Sequence, residues 1–406
     1  MKRGWQIRPL EELVVQDKAG IKIGPFGSQL KKCDLVSNGI HVLGIENVLS
    51  GKFDELGERY ISQEKFQTLE SVEVVPGDLL LTMMGTIGKV AVVPPSIRRS
   101  IMDSHLLRMR PDQRVIRTDY LAWAIQGSTA VLDAIEAQAH GAIMKGLNSA
   151  IVRSLPVPVP PLAEQQQIVG KLEEAFDGLA IATANAERNL RNARALFESH
   201  LESVFTRRGD SPVVPIGDVA EVFDGPHATP KTVDAGPVFL GISALQDGKI
   251  NLGETRHVTL QDFRQWTRRV KPQSDDVVFS YETRLGQAAI IPEGLECCLG
   301  RRMGLVRVNR KRVDPRFFVY QYISPPFRKF VDSKTVRGAT VDRIALKEFP
   351  SFPISLPSLS EQERMTNRLD KLRAETQRLE SICRQKLAAL GELKKSLLHQ
   401  AFSGEL

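Results

Sequence analysis

The sequence predicts a tandem repeat of two mixed α/β (α+β) domains, each followed by one long helix. Matched segments recur at one spacing along the chain: Gly44 and Gly241 lie 197 residues apart, and so do Glu164 and Glu361. Two proline-free stretches with apolar residues at every seventh position follow the matched domains. Because solenoid repeats have periods of about 20–50 residues, each copy must be a whole domain with its attached helix.

The same spacing persists to the end of the chain. It relates VLGIENV at 42–48 to FLGISAL at 239–245, and the proline-rich run that begins PPLAEQ at 160 to the run that begins LPSLSEQ at 356. Further matched pairs are His140-Gly141 with Arg337-Gly338, Leu201 with Leu398, Phe205 with Phe402 and, one residue further apart, Asp78 with Asp276. A tandem duplication accounts for all of these pairs.

We divide the chain into a first domain over 1–160, a central helix over 161–208, a second domain over 209–356 and a C-terminal helix over 357–406. In the first domain, VEVVPGDLLLTMMGTIGKVAVVP is rich in β-branched residues and interrupted by glycine and proline, which is typical of strands and turns. VVFSYETRLGQAAIIP repeats this pattern in the second domain. Proline-rich connectors, LPVPVPPLAEQ and FPISLPSLSEQ, lead from each domain into its helix.

Heptad spacing in both helical segments predicts a coiled coil. The predicted stripes of the first helix are Leu172, Leu179, Ala186 and Ala193, and Phe176, Thr183, Leu190, Phe197 and Val204. Those of the second are Met365, Leu372, Leu379 and Leu393, and Leu369, Thr376, Cys383, Leu390 and Leu397. Pseudo-twofold symmetry between the copies would make the helices antiparallel and separate the two globular domains by a rod about 65 Å long. The alternative is two unrelated amphipathic helices, each packed on its own domain.

Composition and charge narrow the functional class. The 406 residues are 42% hydrophobic and 25% charged, without an apolar run long enough for a membrane span or a secretion signal. The four cysteines form no C-x-x-C motif, so we expect reduced thiols and a cytoplasmic location. The net charge is +7, and the segment Arg301–Arg316 carries seven basic residues and one acid, which favours a polyanionic partner.

Four features occur together: LPVPVPPLAEQQQI, its counterpart ISLPSLSEQERM, the opening IGPFGS at 23–28, and the paired VLGIEN and FLGISA segments. In this combination, over essentially the whole chain, the sequence resembles the specificity (S) subunit of type I restriction–modification systems, the HsdS family. The resemblance implies two target-recognition domains, each recognising one half of a bipartite double-stranded DNA target.

The same resemblance implies the partners and their cofactors. The helices would set the gap between the half-sites and dock two DNA methyltransferase (M) subunits, and restriction (R) subunits can join that complex. The chain itself would bind no cofactor, because S-adenosylmethionine and ATP belong to the partner subunits. The expected location is the bacterial or archaeal cytoplasm, with no membrane contact.

Catalytic motifs are weak in this sequence. SPPF at 324–327 superficially resembles an amino-methyltransferase motif, but no glycine-rich methyl-donor turn precedes it, and a break between helices is the favoured interpretation. GTIGKV at 85–90 lacks the first glycine and the Ser or Thr of a phosphate loop. The seven histidines show no metal-ligand spacing. We therefore expect no catalytic site and no metal site.

DNA contacts are expected from basic and amide side chains and from glycine-rich turns that follow strands. In the first domain the candidates are Gly24, Gly27, Ser28, Lys31, Lys32, Thr86, Lys89, Arg98, Arg99 and Lys145. In the second domain they are His227, Lys231, Arg284, Gln287, Arg301, Arg302 and Arg337. For any single residue, a solvated surface position is an equally good interpretation.

Two other functions remain open. A self-contained DNA methyltransferase is disfavoured by the missing methyl-donor turn, and labelled donor with DNA would test it. A coiled-coil adaptor that binds only proteins is disfavoured by the basic segment Arg301–Arg316, and a salt-dependent DNA-binding assay would test that alternative.

Overall fold

A computed structural model describes residues 4–17, 19–48, 52–139, 147–207, 211–226, 230–338 and 341–406. The candidates Lys145 and His227 and the His140-Gly141 pair lie outside these ranges. The chain divides into two compact units, one formed by Met1–Asn185 with Lys386–Leu406 and the other by Ala186–Gln385. Each unit therefore contains one globular domain and parts of both long helices.

The first unit contains mixed helices and strands. Its strands are β1 (Gln6–Pro9), β2 (Ile21–Ile23), β3 (Leu35–Val36), β4 (Ile40–Leu43), β5 (Tyr60–Ile61), β6 (Glu73–Val74), β7 (Leu79–Thr82), β8 (Val90–Val92), β9 (Ser100–Met102), β10 (Leu106–Met109) and β11 (Pro156–Val159). Its shorter helices are α1 (Gln63–Leu69), α2 (Thr118–Gly127), α3 (Thr129–Ala139) and α4 (Ser149–Arg153). The long helix α5 (Leu162–Thr206) begins in this unit and ends in the second.

The first unit has two hydrophobic cores, one on each face of a central sheet. The antiparallel sheet β2-β10-β7-β8 is covered on one face by helices and on the other by the mixed sheet β3-β5-β4-β9-β6. Leu79 and Leu81 of β7 join the helix-side core, whereas Leu80 joins the core of the second sheet. Side chains alternate between the faces of a strand, so a strand covered on both faces is largely apolar, as the three leucines of LLLT show.

The second unit repeats this plan. Its strands are β12 (Val213–Pro215), β13 (Ala220–Asp224), β14 (Val233–Leu240), β15 (Leu245–Gln246), β16 (Lys249–Ile250), β17 (Arg256–His257), β18 (Val277–Ser280), β19 (Ala288–Ile290), β20 (Cys297–Leu299), β21 (Met303–Val308), β22 (Thr335–Val336), β23 (Arg343–Ile344) and β24 (Pro353–Ser355). Its shorter helices are α6 (Leu260–Trp266), α7 (Pro315–Ile323) and α8 (Pro325–Ser333), and the long helix α9 (Leu359–Ser403) begins here.

Equivalent registers relate the two copies. Strand β4 pairs in parallel with β9 through Val42 and Ile101, and β14 pairs in parallel with β20 through Phe239 and Cys298. Both partners of the second pair lie 197 residues beyond those of the first. The sheet β13-β21-β18-β19 likewise matches β2-β10-β7-β8. The predicted α/β tandem repeat is confirmed.

The long helices α5 and α9 have 45 residues each, and α9 begins 197 residues after α5. No helix in the described part of the chain is both long enough and apolar enough to cross a membrane. Within the first unit, the core contains Leu172 and Phe176 from α5 together with Leu398 and Phe402 from α9. The two helices therefore pack on each other as well as on the domain, so the alternative of independent helices is wrong.

The chain directions of the paired helix segments are opposite, as predicted. In the first unit the beginning of α5 shares a core with the end of α9. In the second unit Leu201 and Phe205, near the end of α5, share a core with Leu369, near the beginning of α9. Each domain is thus supported by the start of one helix and the finish of the other.

One predicted stripe of α9 is correct at Met365 and Leu372, which are half-buried, and wrong further along the helix. Leu379 and Leu393 are about half exposed, at 46% and 48%, while Arg373 and Ala401 are buried instead. The inward stripe comprises Thr366, Arg373, Glu380, Leu387 and Ala401, each 197 residues beyond a member of the Phe176 stripe or its extension, while Lys394 in the same series is exposed. The prediction followed the leucines, but polar side chains occupy this stripe where it faces the domain.

The duplicated Glu-Gln pair explains how each helix is fixed to its domain. Gln165 is fully buried, accepts a hydrogen bond from the backbone N–H of Arg117 at 2.8 Å and donates to the carbonyl oxygens of Val115 and Pro160. Gln362 makes the equivalent bonds with the backbone of Asp314, Arg312 and Pro357. An amide is required here, because one side chain must both accept and donate.

Replacing Gln362 by methionine is therefore expected to destabilise the second unit by about 2 kcal/mol, since buried backbone groups lose their partners while the side-chain volume is kept. Chemical denaturation of the full chain would measure this. Gln385→Met on the exposed face of the same helix is the matched control, with an expected change within about 0.5 kcal/mol. Equal stability of the two variants would contradict the role given to Gln362.

Candidate nucleic-acid interface

A cleft opens in the first unit where the parallel strands β4 and β9 end side by side. The N–H of Asp103 donates to the carbonyl of Leu43 at 2.8 Å, after which the two chains diverge. Crevices at the carboxyl ends of parallel strands are common ligand sites. This first cleft has a volume of about 180 Å³ and is lined by Pro25, Gly27, Leu30, Lys31, Lys32, Leu35, Val42, Arg59, Asp103, Ser104 and His105.

The second unit has an equivalent cleft where β14 and β20 end. The N–H of Gly300 donates to the carbonyl of Leu240 at 2.7 Å, as Asp103 does to Leu43. This second cleft has a volume of about 360 Å³ and is lined by Phe239, Gly241, Ile242, Ser243, Glu254, Arg256, Arg301 and Arg302. Arg256 lies 197 residues beyond Arg59, so one arginine occupies the same place in both clefts.

Carboxylates hold the arginine of the first cleft. The guanidinium of Arg59 donates to Asp103 and to Glu46, each at 2.9 Å. Burial alone would lower the pKa of Arg59, but the hydrogen bonds and charges of these two carboxylates outweigh it and raise that pKa. Asp103 also accepts from the backbone N–H of His105 at 2.9 Å. The first cleft therefore has an internally neutralised arginine.

Two glycine–proline turns border the strands that precede the clefts. Gly24 follows β2 and donates to Leu106, and Gly225 follows β13 and donates to Met303. A side chain at Gly24 would place its Cβ 1.8 Å from the carbonyl oxygen of Asp103, so only glycine fits. Gly24, predicted as a DNA contact, is buried and serves the close approach of two backbones.

The duplicated architecture is that of a known family. The family model of the type I restriction modification DNA specificity domain matches residues 3–189 and again residues 209–387. The chain belongs to this family. The two matches cover the two copies identified from the repeat spacing, so each copy is one DNA specificity domain.

Relatives and solved structures agree with this assignment. The EcoBI type I restriction enzyme specificity subunit of Escherichia coli is 22% identical over 398 residues, covering 91% of this chain and 80% of the relative. The HsdS subunit from Thermoanaerobacter tengcongensis has the same fold with a TM-score of 0.60, at 20% identity, over 100% of this chain and 98% of that one. A chain from a structural study of assembly and conformational transition of the type I R-M system gives a TM-score of 0.75 at 19% identity, over 100% and 99%.

Several predicted contact residues of the first specificity domain lie at its surface. Lys31 and Lys32 are exposed on the wall of the first cleft, beside Gly27 and Ser28. Thr86 and Lys89 are exposed, and they lie in the turn between β7 and β8. The turn leads into a strand rather than a helix, so GTIGKV is a hairpin and not a phosphate loop.

Arg98 and Arg99 of the same domain are already engaged by protein groups. Arg98 lies over the ring of Tyr60 at 5.5 Å. Arg99 forms an ion pair with Glu73 at 3.0 Å and lies over the ring of Phe66 at 4.2 Å. Both side chains remain exposed, so these contacts orient the guanidinium groups without removing them from solvent.

In the second specificity domain, two predicted contacts are half-buried and support a loop. Arg284 donates to the carbonyl oxygens of Ile242 and Ser243, at 3.2 and 3.0 Å. Gln287 accepts from the N–H of Asp247 at 3.0 Å. Their principal contacts are internal: Arg284 supports the backbone of Ile242 and Ser243, which line the second cleft, whereas Gln287 supports Asp247, which does not line it. Sequence spacing could not separate such supporting residues from surface residues.

The other predicted residues of this domain differ in exposure and pairing. Arg301 is exposed in the second cleft, and Arg302 lines the same cleft while forming an ion pair with Glu282 at 3.0 Å. Lys231 is exposed ahead of β14. Arg337 is exposed and forms an ion pair with Asp332, which raises the pKa of Arg337.

The basic segment Arg301–Arg316 offers fewer unpaired positive charges to a polyanionic partner than its composition indicates. Four of its seven basic residues form ion pairs within the domain; they are Arg302 with Glu282, Arg307 with Asp276, Arg310 with Asp275, and Arg316 with Asp314 and Asp370. Apart from Asp314, the acids come from other parts of the chain, which is why the local excess of positive charge was misleading.

The predicted helix break at SPPF is confirmed. Ser324 separates α7 from α8, is fully buried and donates to the carbonyl of Gln321 at 2.6 Å.

The equivalence of Arg59 and Arg256 was not predicted from the sequence. Applying the 197-residue spacing to every residue would have found this pair.

Proposed function

We propose that each specificity domain of this chain recognises one half of a bipartite double-stranded DNA target. The observation that carries the proposal is the duplicated cleft, present once in each unit and lined in both cases by basic residues. A chain with two equivalent binding surfaces suits a target with two parts. The linings differ at most positions, so the two half-sites are expected to differ in sequence.

The contacts proposed for DNA are the exposed basic residues and turns. For the first half-site they are Gly27, Ser28, Lys31, Lys32, Thr86, Lys89, Arg98 and Arg99. For the second they are Lys231, Arg301 and Arg337, with Arg302 beside them. Lysine and arginine supply affinity through phosphates, while side chains that reach base edges supply specificity.

The helices are proposed to set the gap between the half-sites and to dock two DNA methyltransferase subunits. Leu196 and Leu393, which are 52% and 48% exposed, lie 197 residues apart on α5 and α9. Each presents an apolar side chain at the same position of its helix. Two equivalent apolar positions suit two identical partners, and restriction subunits can join the resulting complex.

The chain is proposed to have no catalytic role and no cofactor of its own. S-adenosylmethionine and ATP would bind the methyltransferase and restriction subunits. Because the proposed target is DNA and the thiols of the chain are free, we place the complex in the cytoplasm. Buried Cys297 and Cys298 are adjacent in β20, and burial raises the pKa of each to about 12, so neither thiol is a nucleophile.

Mapping of methylated adenines tests this function. Cells that express this chain with its methyltransferase subunits should show methylation at one two-part motif with a constant gap. The motif should disappear when the chain is omitted, because the methyltransferase alone lacks a sequence reader. Methylation that persists unchanged without the chain would refute the proposal and favour the adaptor function.

A further inference from the structure

The two clefts have equivalent backbones, but the charged residues around their equivalent arginines differ. Five lining or neighbouring positions of the first cleft have counterparts 197 residues later; the pairs are Glu46 with Ser243, Asp103 with Gly300, Ser104 with Arg301, His105 with Arg302, and Gly57 with Glu254. Four of these exchanges remove a carboxylate or add a guanidinium in the second cleft. The fifth, at Glu254, adds a carboxylate.

These exchanges leave Arg256 in a different state from Arg59. Both carboxylates that hold Arg59 are absent at the equivalent positions, which are Ser243 and Gly300. In the described part of the chain no ion pair or hydrogen bond engages the guanidinium of Arg256, and its side chain is exposed. The guanidinium of Arg256 therefore lines the second cleft with no hydrogen-bond partner among the described residues.

A second guanidinium lies in the same cleft. Arg301, in the turn after β20, is exposed and lines the cleft with Arg256, which comes from β17. Arg302 is neutralised by Glu282, so it adds little net charge. Glu254 also lines the cleft but forms no ion pair with Arg256 in the described residues. The positive charge is therefore concentrated on Arg256 and Arg301.

We propose that the second cleft is a phosphate-binding site for the DNA backbone, held by Arg256 and Arg301, and that Arg59 of the first cleft makes no equivalent contact. Two guanidinium groups from different elements offer donors to several oxygens of one tetrahedral phosphate. A base edge is read by one planar fork. The second domain thus anchors DNA through a site that the first domain has closed with its own carboxylates.

This inference rests on the proposed DNA recognition, and salt titration separates the two. The full chain, purified with its methyltransferase subunits, is titrated with its target duplex and with an unrelated duplex at several salt concentrations. The double variant Arg256→Gln/Arg301→Gln should reduce the slope of log affinity against log salt by about 0.9, because it loses one phosphate contact, and each single variant should reduce the slope by part of that amount. Binding should weaken equally on both duplexes.

Two further variants sharpen the test. Ser243→Glu restores the carboxylate that Glu46 provides in the first cleft, and it should reduce the slope as Arg256→Gln does, although no arginine is removed. Ser243 is exposed, so the fold accepts this change. Arg310→Gln removes the same charge from a residue outside the cleft, where it pairs with Asp275, and should leave the slope unchanged.

The outcomes are distinct. If the wild-type complex shows no target preference, the proposed function fails. If the wild type is specific but Arg256→Gln keeps the full slope, the phosphate site is refuted. A changed base preference at one position of a half-site, with an unchanged slope, would also overturn it, because Arg256 would then read a base.

Discussion

Replacing Asp276 by asparagine is expected to destabilise the second unit by about 3 kcal/mol. The carboxylate is 5% exposed and accepts two hydrogen bonds from Arg307, at 2.9 and 2.7 Å, and one from the N–H of Gln273 at 2.8 Å. Asparagine would lose the charge and would turn an NH₂ group toward the guanidinium. A charged Arg307 would then lack its partner in a partly buried site.

The neighbouring residue provides a matched control. Asp275 pairs with Arg310 at 2.9 Å, but both side chains are largely exposed. Asp275→Asn should therefore change stability by less than about 1 kcal/mol. Its backbone is left-handed, with φ of 69°, a conformation that asparagine tolerates.

Hydrogen exchange in denaturant would measure both variants unit by unit. Asp276→Asn should lower protection of the amides in Val277–Ser280, whereas the equivalent strand Leu79–Thr82 of the first unit reports any general effect. If Asp275→Asn proved as damaging as Asp276→Asn, the buried pair would not have the role assigned to it.

Shortening both helices by one heptad is expected to change the recognised gap. Deleting residues 184–190 from α5 and their counterparts 381–387 from α9 removes one heptad, or about two helical turns, from each helix and keeps the heptad phase. Seven residues correspond to about 10 Å of helix, or about three base pairs of DNA. The complex should select the same half-sites with a shorter gap, or lose high-affinity binding because the half-sites rotate around the duplex.

Selection of binding sites from a random pool measures this effect. Glu187→Gln, an exposed change within the same segment, alters charge without altering length and should leave the gap unchanged. Selection of both original half-sites at the original gap by the shortened complex would show that the helices do not act as the spacer.

The duplicated organisation could be predicted because matched residues recur at a constant spacing along the sequence. One offset related segments from Gly44 to Phe402, and it predicted two domains and two helices before any contact was known. The same offset located Gln165 and Gln362 but could not reveal their role. Their function depends on backbone groups about 50 residues away that only the folded domain brings to them.

The helix stripes were only partly predictable. Heptad leucines identify an apolar stripe, but Leu379 and Leu393 are exposed and Arg373 is buried. The guanidinium of Arg373 lies over the rings of Phe197 and Tyr320, at 5.8 and 5.9 Å from their centroids. A charged residue buried by aromatic neighbours cannot be recognised from periodicity alone, because its neighbours come from other elements.

The sequence by itself determined the repeat, the α/β class, the two long helices and the family resemblance, because these depend on periodicity and local composition. Only the tertiary structure decided which basic side chains are paired with acids of the chain and which remain unpaired for contact with DNA. Arg307 and Arg316 are paired with acids distant in sequence, whereas Arg256 lacks the carboxylates that hold Arg59. Charge pairing is set by distance in space, and folding brings together residues whose separation along the chain carries no such information.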